Sequence, residues 1–268
     1  MLTELIAWFG VAYQDPLFWW FPVMTSVVSM VAFLLFAIPM TVIAYRDLPR
    51  FRRYRIQPRR TGQTKMLGPA IRWWVVNNAI TTAVVICLWP WLRESGIHLG
   101  ELPSGYVIAA QVGLFIILDD ALFYAMHRLL HTRWLFRHVH AIHHRVHAPW
   151  AIAAHYMHPL EFLLISALVL AGPILLGVHV VTLWIWVIFR QYEAADGHSG
   201  YDFPGNPATL LPGYEGGLYH DYHHARVHGN YAGFFSYLDA IFGTYCRGYL
   251  QHRARLRLQR TVSRHSPL

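Results

Sequence analysis

Between Pro16 and Tyr45 the chain carries no charged residue. As a helix rising ~1.5 Å per residue, Val23–Tyr45 alone reaches about 35 Å, enough to cross a hydrocarbon core of about 30 Å. A stretch of this length and apolarity commits the fold to a membrane, because nothing but a helix or a closed barrel satisfies its backbone there. Three more uncharged runs follow, Trp73–Leu92, Leu102–Leu118 and Phe162–Phe189. In the first of these, Asn77 and Asn78 are expected to face other protein, with Trp89 and Trp91 near an interface. The run that begins at Leu102 stops at Asp119-Asp120 and continues as a helical pattern beyond them. The last, broken by Gly172-Pro173 and Gly177, exceeds one upright helix and falls short of two ordinary spans. It predicts a tight helical hairpin or a partly inserted pair at about 162–189.

Composition points the same way. The 268 residues are 55% hydrophobic and 13% charged, which argues against an ordinary soluble domain. Eleven Trp, fifteen Tyr and fifteen Phe exclude a disordered chain. Cys87 and Cys246 are too few and too far apart for a disulfide framework or a zinc knuckle. The first fifteen residues, which include Glu4 and Asp15 and lack a basic leader, do not read as a cleavable signal.

The net charge of +8 rests on arginine, Lys65 being the only lysine. The loop Arg46–Arg72 carries Arg46, Arg50, Arg52, Arg53, Arg55, Arg59, Arg60, Lys65 and Arg72 against Asp47, which marks it as cytoplasmic. Residues 119–161 and 190–268 are then expected on that same side. The tail, with Arg247, Arg253, Arg255, Arg257, Arg260 and Arg264, reads as a basic segment against anionic headgroups. Nucleic-acid binding is set aside, since no recognised module accompanies the charge. The expected architecture is an all-α integral membrane helical bundle with a cytoplasmic histidine-rich cap. Its parts are N-terminal helices and basic loop over 1–118, a catalytic region over 119–246 and the tail over 247–268, in one structural domain.

Of 18 histidines, 15 fall between His127 and His228. His127 and His131 stand at i and i+4, one helix face, where two imidazoles can reach one metal or two adjacent ones. His140, His143 and His144 repeat the convergence at i, i+3 and i+4, and His220, His223 and His224 repeat it again. Between them lie His155, His158 and His198. His98, His252 and His265 read as ordinary surface or core residues, and His138, His147, His179 and His228 as neighbours rather than ligands. Three boxes of this kind are beyond coincidence.

Imidazole suits zinc, copper, iron and nickel, and the absence of nearby cysteine removes structural zinc and iron–sulfur clusters. No HExxH is present for a zinc protease, and no pair of Glu-x-x-His motifs for a carboxylate-bridged di-iron bundle. Too many histidines remain for one ion. A histidine-rich, redox-active di-iron centre at the bilayer edge is expected, suited to dioxygen chemistry on an apolar substrate. Asp120, Glu161, Glu193, Asp196 and Asp221 are candidates to accept the second N–H of a ligating ring, or else helix caps and partners of Arg128 and Arg190.

These boxes, with the hairpin between the second and third, resemble the fatty acid hydroxylase and sterol desaturase superfamily of integral membrane di-iron enzymes. The likeness runs from about Asp120 to Gly243. Within it, His155-Tyr-Met-His158-Pro-Leu-Glu161, His198-Ser-Gly-Tyr-Asp202-Phe-Pro204, His220-Asp-Tyr-His223-His224 and Gly229-Asn-Tyr-Ala232 are most similar to the C4-methylsterol oxidases. The resemblance implies that His127, His131, His140, His143, His144, His220, His223 and His224 are metal ligands, with His158 and His198 completing the set. It departs at His155, where the methylsterol oxidases usually carry Glu and the sterol C5-desaturases His, and at Tyr219, which replaces a frequent histidine.

The implied activity is a dioxygen-dependent monooxygenation of an unactivated lipid C–H bond, such as a sterol C4-methyl group. The alternatives are a fatty acyl, sphingoid or carotenoid substrate, by hydroxylation or desaturation, and a non-catalytic membrane protein that stores or transports metal. Two iron ions, dioxygen and an external NAD(P)H-linked donor are implied. With no haem, flavin or iron–sulfur motif in the chain, electrons must come from a b-type cytochrome or a ferredoxin with its reductase. Arg52 and Arg53 are candidates for docking it. Residence in a bacterial inner membrane or the endoplasmic reticulum is expected.

Overall fold

The computed structural model describes residues 8, 10–57 and 63–265, with the side chains of 63, 64 and 261–265 excepted. Glu4, Arg59 and Arg60, and the side chains of Arg264 and His265, lie outside the described residues. Those described are helical, with isolated bridges but no strand among them. Four helices are long and apolar enough to cross a membrane. They are α1 (Trp19–Arg46), α2 (Leu67–Leu92, prolonged by a short turn to Ser95), α3 (Gly105–Leu130) and α4 (Pro159–Leu176). Leu35, Ile117 and Leu175 point outward from three of them, an arrangement suited to lipid and costly in water. The chain is an integral membrane protein.

The expected hairpin forms, with wider bounds. Its first leg begins at Pro159, because His158 accepts the Leu160 N–H on its own Nδ1 at 3.1 Å and proline fits the first helical turn. Its second leg, α5 (Val180–Gly197), continues past Phe189 because Arg190, Glu193 and Asp196 find partners inside the protein. The turn between the legs needs Gly177, which caps α4 at φ +55° and lies so close to the chain after α2 that a Cβ would sit 3.1 Å from the Gly96 carbonyl. His98 N–H donates to the Val178 carbonyl at 3.2 Å and Val180 N–H returns to the His98 carbonyl at 3.0 Å, which stitches the tip in place.

Helix α1 packs along α5, where Trp184 Nε1 donates to Thr25 Oγ1 at 3.1 Å and Gln191 Nε2 to Ser29 Oγ at 2.7 Å. Helix α3 packs on α4 and runs unbroken through Asp119-Asp120. Asp119 pairs with Arg190 at 3.2 Å, and Asp120 accepts the Phe234 N–H at 2.7 Å. Asn77 is buried as expected and donates to the carbonyls of His155 and Met157. Trp91 is exposed, but Trp89 is fully buried and donates to the Ala12 carbonyl at 2.7 Å, so only one of the pair can serve an interface.

The arginine loop, the histidine segments and the tail occupy one end of the bundle. Gln57 donates to the His147 carbonyl at 2.8 Å and to Asp221 at 2.9 Å, and Arg55 bridges to Tyr201. Two further helices belong to this end, α6 (Gly216–Arg226) and α7 (Gly248–His265). The tail is more than a segment lying on headgroups: Tyr249 Oη and Arg253 both bind Glu215, at 2.9 and 3.0 Å, and Arg260 pairs with Asp202.

Candidate metal centre

Four segments carry the histidine boxes to one place. The last turn of α3 supplies His127 and His131. The irregular stretch 136–145 supplies His140, His143 and His144, α5 ends on His198, and α6 supplies His220, His223 and His224. Helix α6 reaches α5 closely because Gly217 has no side chain, where a Cβ would stand 2.6 Å from the Asp196 carbonyl.

The imidazoles sort into two groups. One ring nitrogen each of His127, His131, His140, His144 and His223 lies within 4.8 Å of the others, and so do those of His143, His198, His220 and His224. The groups adjoin, with the rings of His144 and His224 centred 4.8 Å apart. The boxes do not map one to one onto groups. His143 parts from His144, and His223 from His220 and His224, so the second and third boxes each serve both groups while the first serves one.

The hydrogen bonds decide the protonation of the rings. Nδ1 of His127, His143, His198 and His223 contacts the carbonyls of Tyr231, Tyr156, Ala194 and Gly229 at 2.7 to 3.2 Å. A carbonyl only accepts, so Nδ1 carries the hydrogen and Nε2 of the neutral ring is bare. Burial lowers the imidazoles of His140, His143, His144, His220, His223 and His224 below their ordinary range, His198 to about 4 and His131 to about 2. They are neutral at physiological pH.

Bare nitrogens nevertheless face one another. Nε2 of His198 stands 3.2 Å from that of His143, both rings holding their hydrogen on Nδ1. Two lone pairs repel at such range unless a cation lies between them. Ligands about 2.1 Å from a shared metal and at right angles are about 3.0 Å apart. The spacing is that of coordination edges, and the residues fit metal.

Of the five candidate acids, Glu161 meets a box ring directly, with His140 Nδ1 donating to its Oε1 at 2.7 Å, both side chains buried. Asp196 accepts from Asn206 and Tyr214, Asp221 from Gln57, and Glu193 pairs with Arg190. Arg128 turns to Tyr124 rather than to an acid. A carboxylate behind a ligating histidine tunes metal affinity by about 10–100-fold. Glu161→Gln, measured by metal competition with a chelator, is expected to weaken retention by about tenfold.

His158 is not brought to either group; its side chain caps α4. The His-Pro pair that starts a helix is the signal for that role. Tyr219 donates to Asp239 at 2.9 Å and is no ligand. His155 is buried at 6% exposure, stacked on Phe33 with ring centres 3.8 Å apart, and outside both groups.

Two cavities approach the centre. One is lined by His127, His140, His143, His198 and His220 together with Met126, Phe162 and Ile165. The second lies between α1, α2, α4 and α5 and shares His155, Phe162, Ile165, Arg190 and Ala194 with the first.

A family model for fatty acid hydroxylases matches residues 112–244, the stretch that holds every histidine of both groups. A very-long-chain aldehyde decarbonylase of Oryza sativa subsp. japonica is 34% identical over 242 residues, 89% of this chain and 90% of its own. The chain belongs to the fatty acid hydroxylase family. Methylsterol monooxygenase 1 of Gallus gallus is 36% identical over 203 residues, covering 75% of this chain and 69% of its own. Methylsterol monooxygenase 2-1 of Arabidopsis thaliana is 37% identical over 191 residues, 65% and 70% respectively. No solved structure matches significantly. As a fatty acid hydroxylase family member, the chain stands among iron-dependent, lipid-modifying oxygenases, and its two histidine groups are where metal can be held.

Proposed function

We propose that the protein is a membrane-bound di-iron monooxygenase that inserts oxygen into an unactivated C–H bond of a lipid, a C4-methyl group of a sterol. The observation that carries the reading is the pair of imidazole groups, with the bare Nε2 atoms of His143 and His198 facing one another, opening on an apolar cavity. The set His127, His131, His140, His144 and His223 would hold one iron, and His143, His198, His220 and His224 the other. Iron held there supplies the activation of dioxygen, the overall reaction taking R–H, dioxygen, two electrons and two protons to R–OH and water. The chain's own work is positional. Backbone carbonyls fix the rings, Glu161 anchors His140, and Met126, Phe162 and Ile165 exclude water while directing a C–H bond toward the ligands.

A second reading takes an aldehyde-bearing chain as substrate. It rests on the rice relative, which spans more of this chain, 89%, than the chicken methylsterol monooxygenase at 75%. Mössbauer spectroscopy of protein from iron-57-fed cells, beside lipid analysis of the expressing host, tests both. About two irons per chain and loss of methylsterols are expected. Zinc alone, or no metal in protein purified without chelator, overturns the oxygenase. Loss of aldehydes with methylsterols unchanged favours the second reading.

Electrons would enter at the basic end, on the cytoplasmic side by the positive-inside rule. A groove there is lined by Arg52, Arg53, Arg55, Arg255 and Arg260. Arg52 and Arg55 pair with Asp47 and Arg260 with Asp202, whereas Arg53 and Arg255 have no carboxylate partner among the described residues. Docking of an acidic cytochrome or ferredoxin would thus fall to Arg53 and Arg255 rather than to Arg52. Reversing both to Glu is expected to raise the apparent KM for the donor about tenfold at low salt and to flatten its salt dependence. Steady-state kinetics over a salt series measures both.

A further inference from the structure

Asp239 belongs to neither histidine group, yet it is fully buried on a short helix, Tyr237–Ile241. Four donors meet its carboxyl oxygens. Oδ1 accepts the Tyr231 N–H at 2.9 Å and the Thr244 hydroxyl at 2.7 Å, and Oδ2 accepts the Ala232 N–H and the Tyr219 hydroxyl, each at 2.9 Å. A carboxyl group surrounded by donors is an ionised one, and all four of these donors are neutral. They spread the negative charge without cancelling it, so it still acts on what lies behind them.

Behind them is the first histidine group. The peptide that joins Tyr231 to Ala232 gives its N–H to Asp239, and its carbonyl accepts the Nδ1 hydrogen of His127 at 2.7 Å. A hydrogen bond at one end of an amide polarises the other, and an anion at the N–H makes the carbonyl a stronger acceptor. The His127 ring is oriented and made a better donor at Nε2, as it would be by a carboxylate bonded to it directly. His223 hangs on the same strap. Its Nδ1 donates to the Gly229 carbonyl at 2.7 Å, and the N–H of that peptide, on Asn230, donates to the Thr244 carbonyl at 2.9 Å. Thr244 is pinned to Asp239 by its hydroxyl and by its own N–H, which meets the Asp239 carbonyl at 2.8 Å. The strap approaches this closely because Gly229 and Asn230 both lie at positive φ, +73° and +56°, and a Cβ at 229 would stand 2.5 Å from the Thr244 carbonyl oxygen. In the second group His143 and His198 are served by the carbonyls of Tyr156 and Ala194 instead. The N–H of the Tyr156–Met157 peptide meets the His155 carbonyl, which carries no charge.

We propose that Asp239 is a positioning residue for the first group alone: through the Tyr231–Ala232 peptide it orients His127 and strengthens it as a ligand, and through Thr244 it holds the carbonyl that orients His223. The proposal rests on the reading of the two groups as metal sites. It makes the two positions unequal, since negative charge backs His140 through Glu161 and His127 through Asp239, both in the first group.

The test uses cobalt(II), titrated into metal-free full-length protein in detergent against a competing chelator. His198→Ala with His224→Ala leaves the first group intact, and His131→Ala with His144→Ala leaves the second. Adding Asp239→Asn, a neutral side chain of the same shape, is expected to weaken cobalt about tenfold or more in the first protein and to leave the second unchanged. Tyr219→Phe removes one neutral donor and leaves the charge to the other three, so the first group should hold cobalt at least as tightly as before. A carboxylate that merely braces the strap gives the opposite sign there, because losing either side chain loosens it. Equal weakening of both groups by Asp239→Asn, no weakening of the first, or looser cobalt in Tyr219→Phe overturns the proposal. Far-UV circular dichroism reports folding, and if Asp239→Asn does not fold, the sign of the Tyr219→Phe effect decides. A first group that takes no cobalt by itself also overturns the proposal, and an unsubstituted chain that takes none ends the metal reading as well. Cobalt bound by the first group but indifferent to Asp239 ends this proposal and leaves the metal reading standing.

Discussion

Replacing His143 and His223 together with alanine is expected to strip the protein of iron and reduce lipid oxidation to background. The pair takes one ligand from each group, so both are opened at once. Both Nδ1 atoms bind backbone carbonyls, and the segments that carry them are buried and held by other contacts. Elemental analysis of the purified variant, beside far-UV circular dichroism, separates metal loss from unfolding. His158→Ala is the informative contrast. It removes a helix cap worth about 1 kcal/mol and should leave the iron content of the wild type. Iron lost from His158→Ala, or kept by the double variant, would assign the ligands differently.

The second large effect concerns stability. Arg190 sits at the centre of the bundle, 3.2 Å from Asp119 on α3 and paired with Glu193 on its own helix. It also lies over the ring of Phe234, 5.1 Å from its centre. Arg190→Leu keeps much of the volume and leaves two buried carboxylates facing apolar surroundings. Removing one member of such a set costs about 3–5 kcal/mol. Thermal unfolding in detergent should show a melting point lowered by many degrees, and Asp119→Asn in the same background should restore part of it. An Arg190→Leu protein with an unchanged melting point would mean that the carboxylates have other compensation.

Much of this was legible in the sequence, for reasons tied to particular residues. The uncharged runs placed the membrane helices, and the i, i+4 pairs His127/His131, His140/His144 and His220/His224 each fall within one group. What spacing could not reveal is the parting of His143 from His144, because the chain there is not one regular helix and the second box bends between two partners. Nor could it separate His158 from the ligands, since a capping histidine and a ligating one look alike until the helix start is seen. The far end of the hairpin was hidden by Arg190 and Glu193, whose charges end the uncharged run and are neutralised inside the protein.

The division of the histidines has a consequence for how such a centre can vary. The stretch 136–145 and α6 each feed both groups, so a shift in either backbone is felt at both groups together. His127 and His131 on α3 serve only the first group, and His198 on α5 only the second. Those two helix ends are therefore the handles by which one group's surroundings can be altered alone, and α5 is also the helix that carries Gln191 into the cavity between α1, α2, α4 and α5. A change along α5 can adjust the cavity lining and the second histidine group in one step, while the first stays as it was.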